Sequence, residues 1–158
     1  MRILHIASEA APFAQTGGLA QVVGSLPKSL ELLGHRVNVV IPYYRCVRNS
    51  GFKTEDTGVR LEVPLGGGLE RGRVLRSVLP NSGVPIHFID HPGYFDRDGL
   101  YGTGRGDFPD NDARFAFFCR AALQAAERLN LRPEAIHLHD WQTALAAVYL
   151  RLGMAGAG

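Results

Sequence analysis

Ile3-Leu4-His5-Ile6-Ala7, then Thr16-Gly17-Gly18-Leu19-Ala20-Gln21-Val22-Val23, then Val37-Asn38-Val39-Val40-Ile41-Pro42 is the stretch that decides the fold. The first run is short, apolar and bounded by polar residues, which reads as a buried strand. Ser8 to Thr16, broken by Pro12, is a loop. From Gly17 the apolar positions Leu19, Val22, Val23, Leu26, Leu30 and Leu33 recur at helical spacing, and Gly34 supplies the stop. Pro27 falls inside that run and predicts a kink or a division into two helices, since proline removes an amide and crowds the preceding turn. Val37 to Ile41 is a second, β-branched strand ended by Pro42. Strand, helix, strand is the unit of a parallel sheet.

Working outward, Val59–Val63 and Val74–Leu79 predict a hairpin around Gly66-Gly67-Gly68, and Pro85–Asp90 another strand. His91 to Asp110 is rich in Gly, Asp and Pro and too long for an idle connection. Helical periodicity returns from Asn111 through Leu129, with Asp110 or Asn111 as the expected N-cap. Ile136-His137-Leu138 is a short strand, and Trp141 to Leu152 a final helix. The alternation implies a doubly wound α/β fold with a mostly parallel sheet and an inserted β-hairpin. Such sheets bind ligands beyond the C-terminal ends of their strands, and these residues encode one wall of that crevice.

With 158 residues, 46% hydrophobic and 20% charged, the chain suits one soluble domain. Residues 1–152 form the expected domain, and 153–158 read as a frayed tail. No run approaches the ~18 apolar residues of a membrane span. Two cysteines, Cys46 and Cys119, cannot build a disulfide framework and are expected as small buried hydrophobes in a cytoplasmic protein. A net charge of +2 argues against a nucleic-acid or membrane partner. Arg45–Arg76 carries seven basic residues and four acidic ones, while Asp90–Asp112 carries six acids against Arg97 and Arg105. Both read as solvated loop surface.

Two motifs carry candidate chemistry. Gln15-Thr16-Gly17-Gly18-Leu19-Ala20 places paired glycines at a helix start, where free amides and the helix dipole favour an anion; the alternative is a tight turn. It fits neither a dinucleotide fingerprint nor a P-loop. In His137-Leu138-His139-Asp140-Trp141-Gln142 the two histidines share a strand face, and Asp140 and Trp141 follow at the strand's C-terminal end. A carboxylate beside an indole suits a sugar, the acid accepting hydroxyl hydrogen bonds and the ring covering an apolar face. The alternatives are a helix cap with a core tryptophan, or a metal held by the histidines, for which no third ligand is apparent nearby. Tyr101, in the long loop, could reach a ligand.

Together these motifs resemble the N-terminal part of bacterial glycogen synthases and plant starch synthases. The resemblance rests on Ile3 to Glu9 with Pro12, Thr16 to Ala20, Gly24 to Pro27, Tyr94 to Arg97, Leu100-Tyr101, Asp110-Asn111 with Arg114-Phe115, and His137 to Trp141. It implies one Rossmann-like half of a GT-B architecture, whose complete form transfers glucose from ADP-glucose to the 4-hydroxyl of an α-1,4-glucan with retention and without a metal or cofactor. It implies phosphate binding at Gln15, Thr16, Gly17, Gly18 and Gln21, and sugar or acceptor binding at Tyr101, Asn111, His139, Asp140 and Trp141. The family has lysine at the position of Gln15 and aspartate at that of Gln21, and its nucleotide-sugar domain and next strand lie beyond these residues. The isolated chain is therefore expected to be inactive, with that C-terminal domain or a self-association partner completing the open sheet edge. The rival readings are a non-catalytic glucan- or protein-binding module and half of a transferase using another nucleotide sugar.

Overall fold

Residues 1–153 are described by the structure, a computed structural model. The elements run β1 (Arg2–Ile6), α1 (Gly18–Leu32), β2 (Arg36–Pro42), α2 (Arg45–Arg48), β3 (Glu55–Leu65), β4 (Gly68–Val78), β5 (Pro85–Asp90), α3 (Pro92–Phe95), β6 (Gly102–Thr103), β7 (Gly106–Asp107), α4 (Asn111–Arg128), β8 (Ala135–Leu138) and α5 (Trp141–Arg151). Six strands make one sheet in the order β3-β4-β5-β2-β1-β8. β5, β2, β1 and β8 are parallel, and the β3–β4 hairpin extends the sheet antiparallel to β5. The doubly wound expectation with an inserted hairpin holds. Apart from Gly153, the expected frayed tail lies outside the described residues.

Burial explains the order. Leu4 and Ile6 of β1 and Val39, Val40 and Ile41 of β2 are fully inaccessible, as strands covered on both faces must be. In the hairpin, Gly66 (φ 58°) and Gly67 (φ 80°) both take the left-handed conformation that a two-residue turn between twisted strands requires. Of the two expectations at Pro27 the division fails, since α1 runs through it as one 15-residue helix. Ala20, Val23, Gly24 and Pro27 form a buried stripe at i, i+3, i+4 and i+7, and its packing outweighs one missing backbone bond.

The two charged stretches are solvated only in part, as at Lys53, Arg71 and Asp98, and elsewhere they interlock. Asp90, 2% exposed, lies between Arg48 Nη2 at 2.7 Å and Arg73 Nε at 2.8 Å. Arg45 reaches Asp96 and Asp98, each at 2.7 Å. Asp110 does not cap α4 with its side chain, because its carboxylate accepts two 2.7 Å bonds from Arg97. Fully buried Arg114 closes the long connection, donating to Tyr94 O (2.8 Å), Leu100 O (3.0 Å) and Asn111 Oδ1 (2.6 Å). What composition suggested was a loose loop is a cross-braced strap. Cys119 is buried as expected and burial pushes its thiol up to about 12, whereas Cys46 is exposed, against expectation. Among the described residues, no helix is long and apolar enough to cross a membrane.

Candidate functional site

β1 ends at Ile6 and delivers Ser8 and Glu9 to its C-terminal rim. Glu9 is 3% exposed, and its carboxylate is the hub of the rim. Oε1 accepts from Thr16 Oγ1 and from the Tyr101 hydroxyl, both at 2.6 Å. Oε2 accepts from the Thr16 amide at 2.6 Å and the Gly17 amide at 3.4 Å. Ser8 Oγ lies 2.7 Å from the same hydroxyl. Burial, followed by the bond to Glu9, drives the Tyr101 phenol well above its ordinary pKa, so it stays a donor.

This network corrects part of the phosphate expectation. The amides of Thr16 and Gly17, and the Thr16 hydroxyl, are turned inward to Glu9. What faces outward is the start of α1. The helix begins at Gly18 with no side-chain cap, leaving first-turn amides without intrahelical partners. Gly17 and Gly18 are exposed, and a Cβ built on either would meet nothing within 4 Å. Gly17 is also in extended backbone (φ −152°), which any residue adopts. The chain's own packing and geometry therefore do not require glycine at Gly17, and the free space there suits a ligand's close approach. Gln15 and Gln21 are exposed beside it, and neither side chain is hydrogen-bonded among the described residues.

The second wall comes from β8. Asp140 is exposed, at φ 59° and ψ −178°, a region that essentially only glycine occupies freely. Its side chain does not cap α5, and Trp141 is 60% exposed, so the cap-and-core alternative fails. The indole rests on Phe115 edge-on, with ring centroids 5.3 Å apart. Phe115 in turn meets Tyr101 at 5.9 Å, closing a path from Gly17 through Glu9, Tyr101 and Phe115 to Trp141. Both loops therefore share one rim.

Two expected sugar contacts are placed differently. Asn111 donates to Tyr101 O at 2.8 Å and accepts from Arg114, so both ends of its amide hold the strap. His139 is 7% exposed and lies beneath the corner, its Nε2 3.0 Å from Nδ1 of fully buried His5. Burial and the neighbouring imidazoles depress His5 to about 4, and burial followed by His137 does the same to His139. Glu9, Ser8, His5 and Arg114 are the residues that sequence reasoning passed over. His5 had no local signal, since only the pairing of β1 with β8 sets it opposite His137. The third ligand absent from the local motif is on β1, for His5, His137 and His139 each bring a ring nitrogen within 4.8 Å of the others. The surface hollow lined by Leu123, Ile136 and Leu150 includes neither Asp140 nor Trp141.

Comparison with known proteins gives the family and the fold. The family model described as the starch synthase catalytic domain matches residues 2–156. Glycogen synthase 2 of Geobacter sulfurreducens is 46% identical over 152 residues, which are 96% of this chain and 31% of that protein. Glycogen synthase of Rhodopirellula baltica is 42% identical over 160 aligned residues, covering 96% of this chain and 32% of the relative. Among solved structures, the catalytic domain of starch synthase IV from Arabidopsis thaliana, bound to ADP and acarbose, superposes with a TM-score of 0.82 at 34% identity. That match covers 98% of this chain and 32% of the other. The chain thus spans about a third of the proteins it matches, corresponding to their N-terminal part. It belongs to the starch synthase catalytic domain family and carries the N-terminal portion of that GT-B fold.

Proposed function

We propose that this chain is the acceptor-side half of a glycogen synthase-type glucosyltransferase, which moves glucose from ADP-glucose to the 4-hydroxyl of an α-1,4-glucan with retention. The single observation that carries the reading is the continuous rim from the open start of α1, through Glu9 and Tyr101, to Asp140 and Trp141. In this assignment the amides at Gly18 and Leu19, with Gln15 and Gln21 beside them, face the diphosphate. Their donors and the helix dipole stabilise the charge that develops as the bond from glucose C1 to the diphosphate breaks. Asp140 accepts hydroxyl hydrogen bonds and the Trp141 face covers a sugar ring. Glu9, Tyr101 and Asn111 fix the distance between the two walls, and the transfer itself uses no metal.

The nucleotide-sugar half is supplied by the remainder of a longer protein or by a partner at the β8 edge. Alone, this chain has one wall of the crevice and does not position two substrates, an effect that can account for roughly 7–11 kcal/mol of barrier lowering. Two unpaired thiols, one of them exposed, suit the cytoplasm.

Trp141 is the sole tryptophan, so its emission reports directly on the corner. Malto-oligosaccharide is expected to shift that emission, with binding heat in calorimetry that disappears in Trp141→Ala. Silence in both measurements overturns the acceptor reading. Glucosyl transfer from ADP-glucose by the 158-residue chain alone overturns the half-site reading.

The neutral Gln15 and Gln21 favour a second reading, a glucan-binding module without catalysis. A complete protein carrying these residues separates the two, since the module reading requires glucan binding with no transfer.

A further inference from the structure

We propose that His5, His137 and His139 form a binding site for one divalent transition-metal ion, of which zinc is the natural occupant. β1 and β8 pair in parallel with His5 directly opposite His137, and alternation along β8 returns His139 to the same face two residues on. Three imidazoles from two adjacent strands thus converge. Their ring nitrogens lie within 4.8 Å of one another, and His5 Nδ1 is already 3.0 Å from His139 Nε2. A tetrahedral zinc with bonds of 2.0–2.1 Å sets its nitrogen ligands about 3.3 Å apart. The buried pair meets that spacing closely. His137 stands exposed on the edge strand, its ring stacked on that of His139 with centroids 4.1 Å apart, and gives an ion its way to the buried pair.

Hydrogen bonding leaves the trio incomplete. One ring hydrogen serves the His5–His139 contact, yet His5 Nε2 is buried and has no partner. An ion between His5 Nδ1 and His139 Nε2 would take the place of the hydrogen they share and would leave Nε2, on the other side of the His5 ring, as it is. The donor set also selects the ion. Three imidazoles and no carboxylate in the trio favour zinc, copper, nickel or cobalt over magnesium and calcium, which take oxygen. With three protein ligands, a fourth position remains for water.

The site lies one residue before Asp140, so an ion there ties β1 to β8 where the exposed corner begins. Nothing in this inference depends on the glucan reading, and the ion has no part in glucosyl transfer.

Cobalt(II) and zinc(II) are the probes. The chain is expected to take up one cobalt ion with the visible absorption of a low-symmetry nitrogen site, to release it to zinc but not to magnesium, and to gain in Tm with either transition metal. His137→Ala, on the exposed edge, retains the fold by circular dichroism and is expected to lose at least about 10-fold in affinity. His35→Ala removes the histidine lying 3.3 Å from the terminal amine and is expected to bind as the parent does. Cobalt binding unchanged by His137→Ala, displacement by magnesium, or no uptake at micromolar zinc each overturns the proposal.

Discussion

Asp90 and Asp140 sit at the C-terminal ends of two parallel strands and have opposite fates. Asp90, at the end of β5, is 2% exposed and held between two arginines. Asp140, just past β8, is exposed, without an ion pair among the described residues and in a backbone conformation unfavourable for any residue but glycine. The contrast extends to their surroundings. On the flank of β3, β4 and β5, with the strap of residues 91–110, ion pairs and arginine–carbonyl bonds satisfy the charges. On the rim of β1 and β8, the α1 amides, Gln15, Gln21, Asp140 and the Trp141 face point outward. Satisfied polar groups hold the fold, and unsatisfied ones are held ready for something else. Mutations on the flank should cost stability; mutations at the outward groups should cost binding.

The largest effect is expected at Arg114. Replacing it with methionine keeps the apolar packing but leaves two buried carbonyls, Tyr94 O and Leu100 O, without their donor. At roughly 1–3 kcal/mol for each unsatisfied group, the loss is about 4 kcal/mol. Urea unfolding measures it, and a loss under about 1 kcal/mol would mean that the strap is not braced as described. Acid comes next. The folded chain holds His87 neutral, with its pKa lowered to about 4 by burial and then Arg76, while the unfolded chain protonates it near 6.5. Protons therefore bind preferentially to the unfolded state. The stability is fully present above pH 6.5 and is lost as pH falls toward 4, by up to about 3 kcal/mol from this residue. His5 and His139 shift in the same direction. Thermal unfolding between pH 7 and 4 should show a steep fall that His87→Asn makes shallower.

Periodicity carried most of the architecture into view. β5 coincides with its expected Pro85–Asp90 bounds. The hairpin was legible at its glycines, but its first strand proved longer at both ends and its second began six residues earlier, at Gly68. The added positions, such as Glu55 and Arg71, are charged and paired through ion contacts, which an apolar pattern does not register. α2 escaped notice because four residues show no helical period. For the site, Asp140 and Trp141 were legible because they are adjacent. Glu9 was not, since its partners Thr16 and Tyr101 lie 7 and 92 positions away and only the fold assembles them. His5 was hidden for the same reason. Arg114 was hidden because a charge in an apolar helix reads as exposed until the carbonyls around it are known.

Glu9 sharpens the comparison from the rim side. Glu9→Gln turns one acceptor oxygen into an amide that opposes either the Thr16 and Gly17 amides or the Thr16 and Tyr101 hydroxyls. A loss of about 2 kcal/mol is expected, since a hydrogen bond to a charged group contributes roughly 1.5–3 kcal/mol. Faster amide exchange at Thr16 and Gly17 would locate the damage, and unchanged exchange there would argue that the loop stands without its carboxylate.

The smallest effect has the opposite sign and is the most discriminating. Asp140→Gly removes a side chain that makes no cap at a φ of 59° that glycine adopts readily. Strain of this kind costs of order 1–3 kcal/mol, and glycine's greater freedom when unfolded returns up to about 1 kcal/mol of that. The variant should therefore be about 1 kcal/mol more stable than the parent, and its malto-oligosaccharide affinity should fall at least about 10-fold, the effect of losing a charge-assisted contact of roughly 1.5 kcal/mol or more. A destabilised variant would place Asp140 with Asp90 among the groups that hold the fold. A stabilised variant with unchanged glucan affinity would leave the strain in place and remove its reason.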